Sequence, residues 1–437
     1  MRNICVIGTG YVGLVTGAGL ADFGNEVICA DIDQTKIDVL KKGEIPIYEA
    51  GLKELVDRNV HAGRLSFSSD IESAIRKSSV IFIAVGTPIG EGGDADLSAV
   101  KSVAQTIARN LNTYKVICTK STVPVGTGSQ LRVIIDSERK TDHNFDIVSN
   151  PEFLREGSAV RDFLIPDRVV LGVNSGKSES IMREVYRPLF INKTPMVITN
   201  IPTAEMIKYA SNAFLAVKIS FINEMANLAD KVGADVHSIA HAMGLDGRIS
   251  SKFLHPGPGF GGSCFPKDTE ALVQTGLKHD VKFQVVQAAI NANTFQRQII
   301  LAKVKELLPA LDGKHIAVLG LAFKANTDDV RDTPAVDIIR GLLAENALVK
   351  AYDPVASKNM IKYYFPDLDC RPTVSEAVKG ADLVLVLTEW NELRGLNLKD
   401  LKGLLKSPNI VDARNILSID DLKKYGFNYR NVGRSTV

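Results

Sequence analysis

Cysteine is scarce in this chain of 437 residues: there are five, an odd number, with Cys5, Cys29 and Cys118 inside strand-like runs and Cys370 behind an acidic segment. No spacing among them suits a disulfide framework or a metal knot, so a reducing, cytoplasmic compartment and no bound metal are expected. An excess of charge is missing too. With 52 basic against 50 acidic side chains and a net charge of +2, the composition excludes a broad nucleic-acid surface and a disordered polyelectrolyte, while leaving small anionic ligands open. No uninterrupted apolar run is long enough to span a membrane. The stretch from Arg2 to Ala21 can pass for a signal peptide, but glycines punctuate it at fixed spacing and an acidic strand end follows, so it reads as part of the fold.

What is present begins with a strand-like run, Ile4 to Ile7, leading into Gly8-Thr9-Gly10-Tyr11-Val12-Gly13 and a small-residue helix toward Phe23. This is the dinucleotide fingerprint: Gly8 makes the turn, Gly10 lets the backbone reach a pyrophosphate, and Gly13 permits close helix packing. A second strand, Glu26 to Ala30, ends in Asp31, placed to accept from a ribose 2′-hydroxyl and to repel a 2′-phosphate, so NAD is favoured over NADP. Strands over 80–85 and 116–119 end near Thr87 and at Lys120-Ser121-Thr122. Ligands gather at the carboxyl ends of parallel strands, so Thr87, Ser121 and Thr122 are expected to line the cofactor crevice. Another strand, 146–149, runs into Asn150-Pro151-Glu152-Phe153-Leu154-Arg155-Glu156-Gly157, which is either a solvated loop or a loop that turns Glu152 toward a reaction centre.

From Thr203 to Val232 there is neither Pro nor Gly, and Met206, Ala210, Ala213, Phe214 and Val217 recur at helical spacing. One long helix capped by Thr203 is predicted, tying two lobes together and offering a dimer contact. Lys208 and Asn212 share one of its faces; they are either surface positions or paired donors for a developing oxyanion. Arg248 and Lys252 follow, suited to phosphate. Then comes Gly257-Pro258-Gly259-Phe260-Gly261-Gly262-Ser263-Cys264-Phe265-Pro266-Lys267-Asp268, a glycine-rich turn whose backbone can approach a ligand, carrying one thiol just before a helix start at Pro266. The positive helix end and Lys267 would favour thiolate, the nucleophilic form; the alternative is a cysteine that merely packs.

The last third echoes the first. Residues 314–320 resemble the first strand, 347–352 with Asp353-Pro354 the second, and 375–388 repeat the pattern of 71–87. The turn has become Gly320-Leu321-Ala322-Phe323-Lys324, without the later glycines that admit a pyrophosphate, so a different ligand is expected there. Lys324, Arg331 and Arg414 lie near strand ends or turns, as surface charges or as donors for a nucleotide diphosphate. The polar segment 326–332 reads as a loop.

Taken together, the Gly-x-Gly-x-x-Gly start, Lys120 to Pro124, Asn150 to Gly157, Lys208 with Asn212, Gly261 to Asp268 and Gly320 to Lys324 resemble the nucleotide-sugar 6-dehydrogenases of the UDP-glucose/GDP-mannose dehydrogenase family over nearly the whole length. The resemblance implies an α/β chain with two Rossmann-like doubly wound domains joined by a helical central domain containing one long helix. Its implied divisions are an NAD-binding domain over 1–200, a central dimerisation domain with the cysteine loop over 201–310, and a UDP-sugar-binding domain over 311–437. It implies an NAD-dependent four-electron oxidation of UDP-glucose to UDP-glucuronate, a reaction of nucleotide-sugar metabolism that feeds polysaccharide biosynthesis. The same chemistry on GDP-mannose or a UDP-N-acetylhexosamine is the alternative. In that scheme Cys264 carries thiohemiacetal and thioester intermediates, Lys208 and Asn212 stabilise the oxyanion, Asp268 and Thr122 position water or relay protons, and Glu152 serves acid/base hydrolysis.

Residue by residue, the resemblance places Gly8, Gly10, Val12, Gly13, Asp31, Lys36, Thr87, Thr122, Glu156 and Arg331 around NAD. Around the sugar nucleotide it places Glu152, Phe153, Leu154, Arg155, Glu156, Lys208, Asn212, His255, Pro256, Gly257, Pro258, Gly259, Phe260, Gly261, Phe323, Lys324 and Arg414, with Arg248 reaching a neighbouring subunit's substrate. The run His255 to Pro258 is richer in proline than the family pattern, and the end at Val437 leaves little room for a long regulatory tail. Expected partners are the sugar nucleotide and a second copy of the chain, with no nucleic acid and no membrane.

Overall fold

Runs of β-branched and aliphatic residues such as Ile4-Cys5-Val6-Ile7 are buried along their length, the mark of strands covered on both faces in a parallel sheet. A computed structural model describes residues 1–434; residues 435–437, which end the third of the expected domains, lie outside the described residues. The chain forms two compact units. One comprises Met1–Ser211 with Leu277–His279, the other Asn212–Gly276 with the chain from Asp280 onward.

The first unit is built on eight strands: β1 (Asn3–Ile7), β2 (Glu26–Ala30), β3 (Leu65–Ser68), β4 (Val80–Ile83), β5 (Lys115–Thr119), β6 (Phe145–Ser149), β7 (Val169–Gly172) and β8 (Met196–Thr199). Their order is β3-β2-β1-β4-β5-β6-β7-β8. The first six are parallel, with Ile4 opposite Val27 on one side and Val80 on the other. Strand β7 joins β6 antiparallel through the single pair Ser149 and Gly172. Apolar layers lie on the two faces, one around Leu14, Val15, Ala18 and Phe163, the other around Val100, Ile107, Leu131 and Ile135.

The second unit contains β9 (His315–Leu319), β10 (Leu348–Tyr352), β11 (Asp369–Cys370), β12 (Leu383–Val386), β13 (Asn409–Asp412) and β14 (Asn428–Arg430). All are parallel, in the order β11-β10-β9-β12-β13-β14, which is the order of β3-β2-β1-β4-β5-β6. The internal echo read from the sequence is therefore a repeated doubly wound topology.

The long helix runs Ile201–Val232, 32 residues and so roughly 48 Å. Its start corrects the predicted cap. Asn200 Oδ1 accepts from Thr203 N at 2.9 Å, so Asn200 caps the helix and Thr203 lies inside its first turn. Pro202 does not stop the helix; it sits where no N–H partner is needed. Within the second unit Ile222, Ala226 and Ala229 of this helix join the core together with Ile300 and Val304 of a 24-residue helix, Gln284–Leu307. Among the described residues no helix is long and apolar enough to cross a membrane.

Candidate active site

At the carboxyl ends of β1 and β2 the three fingerprint glycines meet different surroundings. Gly8 has φ +101°, and a Cβ there would lie 2.6 Å from Ala84 O; at Gly13 it would strike Gly8 O. At Gly10 it would meet nothing within 4 Å, so the backbone at the head of the helix Tyr11–Asp22 is open to a ligand. Asp31 Oδ2 accepts from Thr9 N at 2.7 Å and Thr9 Oγ1 at 2.8 Å, and Oδ1 accepts from Asp33 N at 3.0 Å. Burial pushes this carboxyl up, but those donors and Lys36 outweigh it and hold the group below the usual carboxylate range, so it is an anion at neutral pH.

Beyond β4 and β5 the strand ends are stapled to each other. Thr87 Oγ1 donates to Thr122 O at 2.9 Å, and Ser121 Oγ donates to Val85 O at 2.6 Å. Two of the three hydroxyls expected to line the crevice, those of Thr87 and Ser121, are thus used in fixing it. Lys120, in the same segment, is buried, and its Nζ donates to Asn150 Oδ1 at 3.1 Å. Tyr186 donates to the same oxygen at 2.6 Å. Burial, with a smaller push from Lys208, lowers the Lys120 ammonium to about 8 even though Cys118 and Glu152 favour its charge.

Two residues on, Glu152 is turned inward. Its Oε1 accepts from Lys208 Nζ at 2.9 Å, and its Oε2 accepts from Leu154 N at 2.5 Å. Burial raises this carboxyl, but the Lys208 ammonium, the Leu154 amide and Lys120 outweigh it and hold Glu152 below its ordinary value. Phe153 lies under Arg168, whose guanidinium carbon is 3.6 Å from the ring centroid. Arg155 is exposed and grips Asp162 in a fork, 2.9 Å from Nε and 2.6 Å from Nη2.

In the second unit the helix Phe265–Lys278 begins directly after Cys264, whose carbonyl accepts from Asp268 N at 2.8 Å. Cys264 is half-buried, 3.5 Å from Ser263 Oγ. Asp268 is fully buried; it accepts from Asn212 Nδ2 at 2.6 Å and from Lys267 Nζ at 2.8 Å. Lys267 therefore spends its charge on Asp268. The strand-borne thiols differ: burial drives Cys29 and Cys118 up to about 12 and Cys5 higher still, and it also raises Cys370, which is half-buried at the end of β11.

The Cα faces of the glycines in the cysteine loop pack against protein. A Cβ at Gly257 would lie 3.3 Å from Arg414 Nη1, at Gly259 2.7 Å from Asn293 Oδ1, and at Gly262 2.7 Å from the Phe323 ring. Gly259 and Gly262 also have φ of +110° and +85°. Three side-chain amides hold this loop by its backbone. Asn223 accepts from Gly257 N at 2.8 Å, Gln296 donates to Gly257 O at 2.9 Å, and Asn293 both accepts from Phe260 N at 2.6 Å and donates to Phe260 O at 3.0 Å.

Three family models match in succession: the NAD binding domain of the UDP-glucose/GDP-mannose dehydrogenase family over residues 2–190, its central domain over 202–295, and its UDP binding domain over 317–419. A UDP-glucose 6-dehydrogenase of Rhizobium meliloti is 51% identical over 99% of each chain. The chain belongs to the UDP-glucose/GDP-mannose dehydrogenase family. It is also similar to the UDP-glucose 6-dehydrogenase TuaD of Bacillus subtilis, at 49% identity over 100% of this chain and 94% of that one. Among solved structures, a UDP-glucose dehydrogenase from Pyrobaculum islandicum matches with TM-score 0.93 and 35% identity, covering 99% of this chain and 98% of that one. A UDP-D-ManNAc dehydrogenase from Pyrococcus horikoshii matches with TM-score 0.87 and 28% identity over 100% of both.

This family member is an NAD-dependent oxidoreductase, and its first unit fits NAD. Gly10 leaves open the space above a helix N-terminus, as a pyrophosphate needs, and the Asp31 anion keeps acceptor capacity for ribose hydroxyls after its three internal bonds.

Of the remaining positions, Gly257, Gly261, Phe323, Arg331 and Arg414 lie within the second unit, beside Gly262. Gly262 N donates to Arg331 O at 2.9 Å, and Arg414 donates to Phe323 O at 2.7 Å and to Leu387 O at 2.8 Å. Arg331 also forks onto Asp329. Lys36 pairs with Asp33 at 3.8 Å, and His255 is exposed. Arg248 is set apart: its side chain is 90% exposed and pairs with Asp246. Sequence reasoning gave no site role to Lys120, Asn223, Asn293 or Gln296. The available signal was amide side chains at 293 and 296, spaced to share one helical face, in the run Asn291-Ala292-Asn293-Thr294-Phe295-Gln296.

Proposed function

We propose that this chain oxidises UDP-glucose to UDP-glucuronate in two successive two-electron steps, with Cys264 as the covalent nucleophile. The observation that carries the reading is the thiol itself, half-buried at a helix N-terminus one turn before the fully buried Asp268, whereas Cys5, Cys29 and Cys118 are sealed in strands. The substrate assignment draws on relatives at 51% and 49% identity that are UDP-glucose 6-dehydrogenases, against 28% for the UDP-D-ManNAc enzyme.

NAD, when bound, supplies the hydride acceptor for each oxidation. The remaining chemistry falls to side chains. The primary alcohol loses a hydride and a proton to become an aldehyde. Cys264 Sγ then bonds to the aldehyde carbon, and the carbonyl oxygen takes up a proton to give a thiohemiacetal. Loss of the second hydride and that proton leaves a thioester, and water adds to its carbon, breaks the C–S bond and returns the thiol with a carboxylate. Lys208 and Asn212 are the donors proposed for negative charge on oxygen; Asp268 and Thr122 place water or relay protons. Glu152, held ionised by its surroundings, has the protonation state that a base for the hydrolytic water needs.

The same proposal divides the chain into an NAD-binding part over 1–200, a central part over 201–310 and a sugar-nucleotide part over 311–437. It includes a homodimer. Phe214, Phe221 and Leu228 are 64%, 42% and 55% exposed and recur every seven residues along the long helix, an apolar stripe that a second copy would cover. It includes a cytoplasmic setting, since the chemistry needs Cys264 reduced.

The test is stoichiometry with the purified protein. Two NADH per UDP-glucose are expected, and one per substrate would reject the four-electron scheme. Faster turnover of GDP-mannose or a UDP-N-acetylhexosamine would keep the chemistry and overturn the substrate.

A further inference from the structure

Glu49 lies in the segment between the helices Gln34–Lys41 and Leu52–His61, belongs to none of the motifs discussed above, and is only 8% exposed. A carboxylate so buried must be met by donors, and the identity of those donors is informative. Its Oε2 accepts from Gly157 N at 2.6 Å and its Oε1 from Ala159 N at 2.8 Å, both at the end of the Glu152 to Gly157 loop. The third donor is the hydroxyl of Tyr11, the first residue of the helix that follows the dinucleotide turn. Gly157 N also donates to that hydroxyl at 2.9 Å, and Tyr11 in turn reaches Arg155 O at 3.3 Å.

Two stretches 146 residues apart in sequence thus share one buried carboxylate. Burial, and the carboxylates of Glu49 and Glu156 nearby, push the Tyr11 phenol well above its ordinary value, so it stays a neutral donor. Gly157 has φ +81°, which lets the loop turn back onto this cluster. At its other end the loop is anchored by Glu152 on Lys208, and in the middle by Arg155 on Asp162. Moving the head of the Tyr11 helix moves the hydroxyl, and with it the point that fixes Gly157.

We propose that Glu49 is a positioning residue that latches the dinucleotide turn to the Glu152 to Gly157 loop, so that a dinucleotide at the helix head and the order of the loop are coupled. The substrate part of this inference rests on the function proposed above; the latch itself rests on the geometry. Glu49→Gln keeps the shape of the side chain but sets an amide N–H against a backbone N–H. Tyr11→Phe leaves the two backbone bonds and cuts the link to the turn.

The experiment is hydrogen exchange by mass spectrometry on the full chain, with and without NADH. In the wild type NADH slows exchange in peptides covering 152–160; in both variants that slowing is lost, while direct NADH titration by fluorescence shows binding retained. A protection effect that survives in either folded variant, or that the wild type never shows, overturns the latch. Kinetics supply the second arm: Glu49→Gln is expected to raise KM for UDP-glucose about ten-fold with kcat within about two-fold. If the wild type does not turn over UDP-glucose yet shows NADH-dependent protection, the proposed substrate fails and the latch stands. If turnover is normal and protection does not depend on Glu49, the latch fails alone.

Discussion

Glu152 and Lys208 meet at 2.9 Å with 4% of either side chain exposed. A loop after β6 and the first turns of the long helix are thereby joined by an ion pair from which water is excluded. Such a pair gains little net stability over an apolar one, but removing one member leaves the other charge buried without its ion-pair partner. Glu152→Gln is expected to lower unfolding stability by about 3–5 kcal/mol in urea denaturation, and the double change with Lys208→Met to lower it by less than the single one. A single-mutant loss under about 1 kcal/mol would contradict a fully desolvated pair.

The cysteines differ enough in setting to be told apart chemically. Iodoacetamide at pH 8 is expected to label Cys264 first and to abolish turnover in proportion, leaving Cys5, Cys29 and Cys118 unmodified in the folded protein because burial keeps them as thiols. Cys264→Ser should lose steady turnover and retain substrate or an adduct at the aldehyde stage, serine being the poorer nucleophile. Near-normal glucuronate formation by that variant defeats the mechanism, and peptide mapping shows whether another thiol reacts first.

The amide clamp on the cysteine loop offers a different handle. Asn293→Ala removes both bonds to Phe260 and leaves its buried N–H and C=O without that partner. A stability loss of about 1–3 kcal/mol is expected, with a slower alkylation rate at Cys264 as the loop loses its fixed turn. Unchanged alkylation with reduced stability would show that Asn293 only packs.

Glu205 gives a pH signature. It accepts from Gly126 N at 2.7 Å and Gly128 N at 2.8 Å, yet burial outweighs these donors and raises its carboxyl to about 7. The folded state then holds this proton more tightly than the unfolded chain. The stability it contributes is full below the unfolded value of 4.5 and is lost as pH rises to about 7. Wild-type stability minus that of Glu205→Gln should therefore fall by roughly 3 kcal/mol across that window and be flat above it. A difference independent of pH from 4 to 8 would mean that Glu205 ionises normally.

Much of this was legible in the residues. The dinucleotide turn, Asp31 and the repeated unit were readable because each depends on local constraints: glycine conformations, strand-end acids and strand periodicity. The helix Gln284–Leu307 was not, since Asn293, Gln296 and Lys303 on its buried side break the apolar pattern, and their partners are distant in sequence. The start of the long helix was misread because Pro202 reads as a stop by local rules, although the first turn tolerates it. The glycines around Cys264 mark a tight turn by local rules, but which side chains pack against them depends on tertiary neighbours such as Phe323 and Arg414.

The repeated turn carries a lesson for redesign. Asp353 occupies in the second unit the place of Asp31 in the first, and its carboxylate is saturated: Leu321 N, Ala322 N and Trp390 Nε1 on one oxygen, Val355 N and Ala356 N on the other. Putting glycines back at 322 and 325 would restore the letters of the fingerprint without restoring a place for a ribose. The second unit is not a dormant cofactor pocket awaiting two point mutations; anyone wishing to graft a dinucleotide there would first have to evict the indole of Trp390.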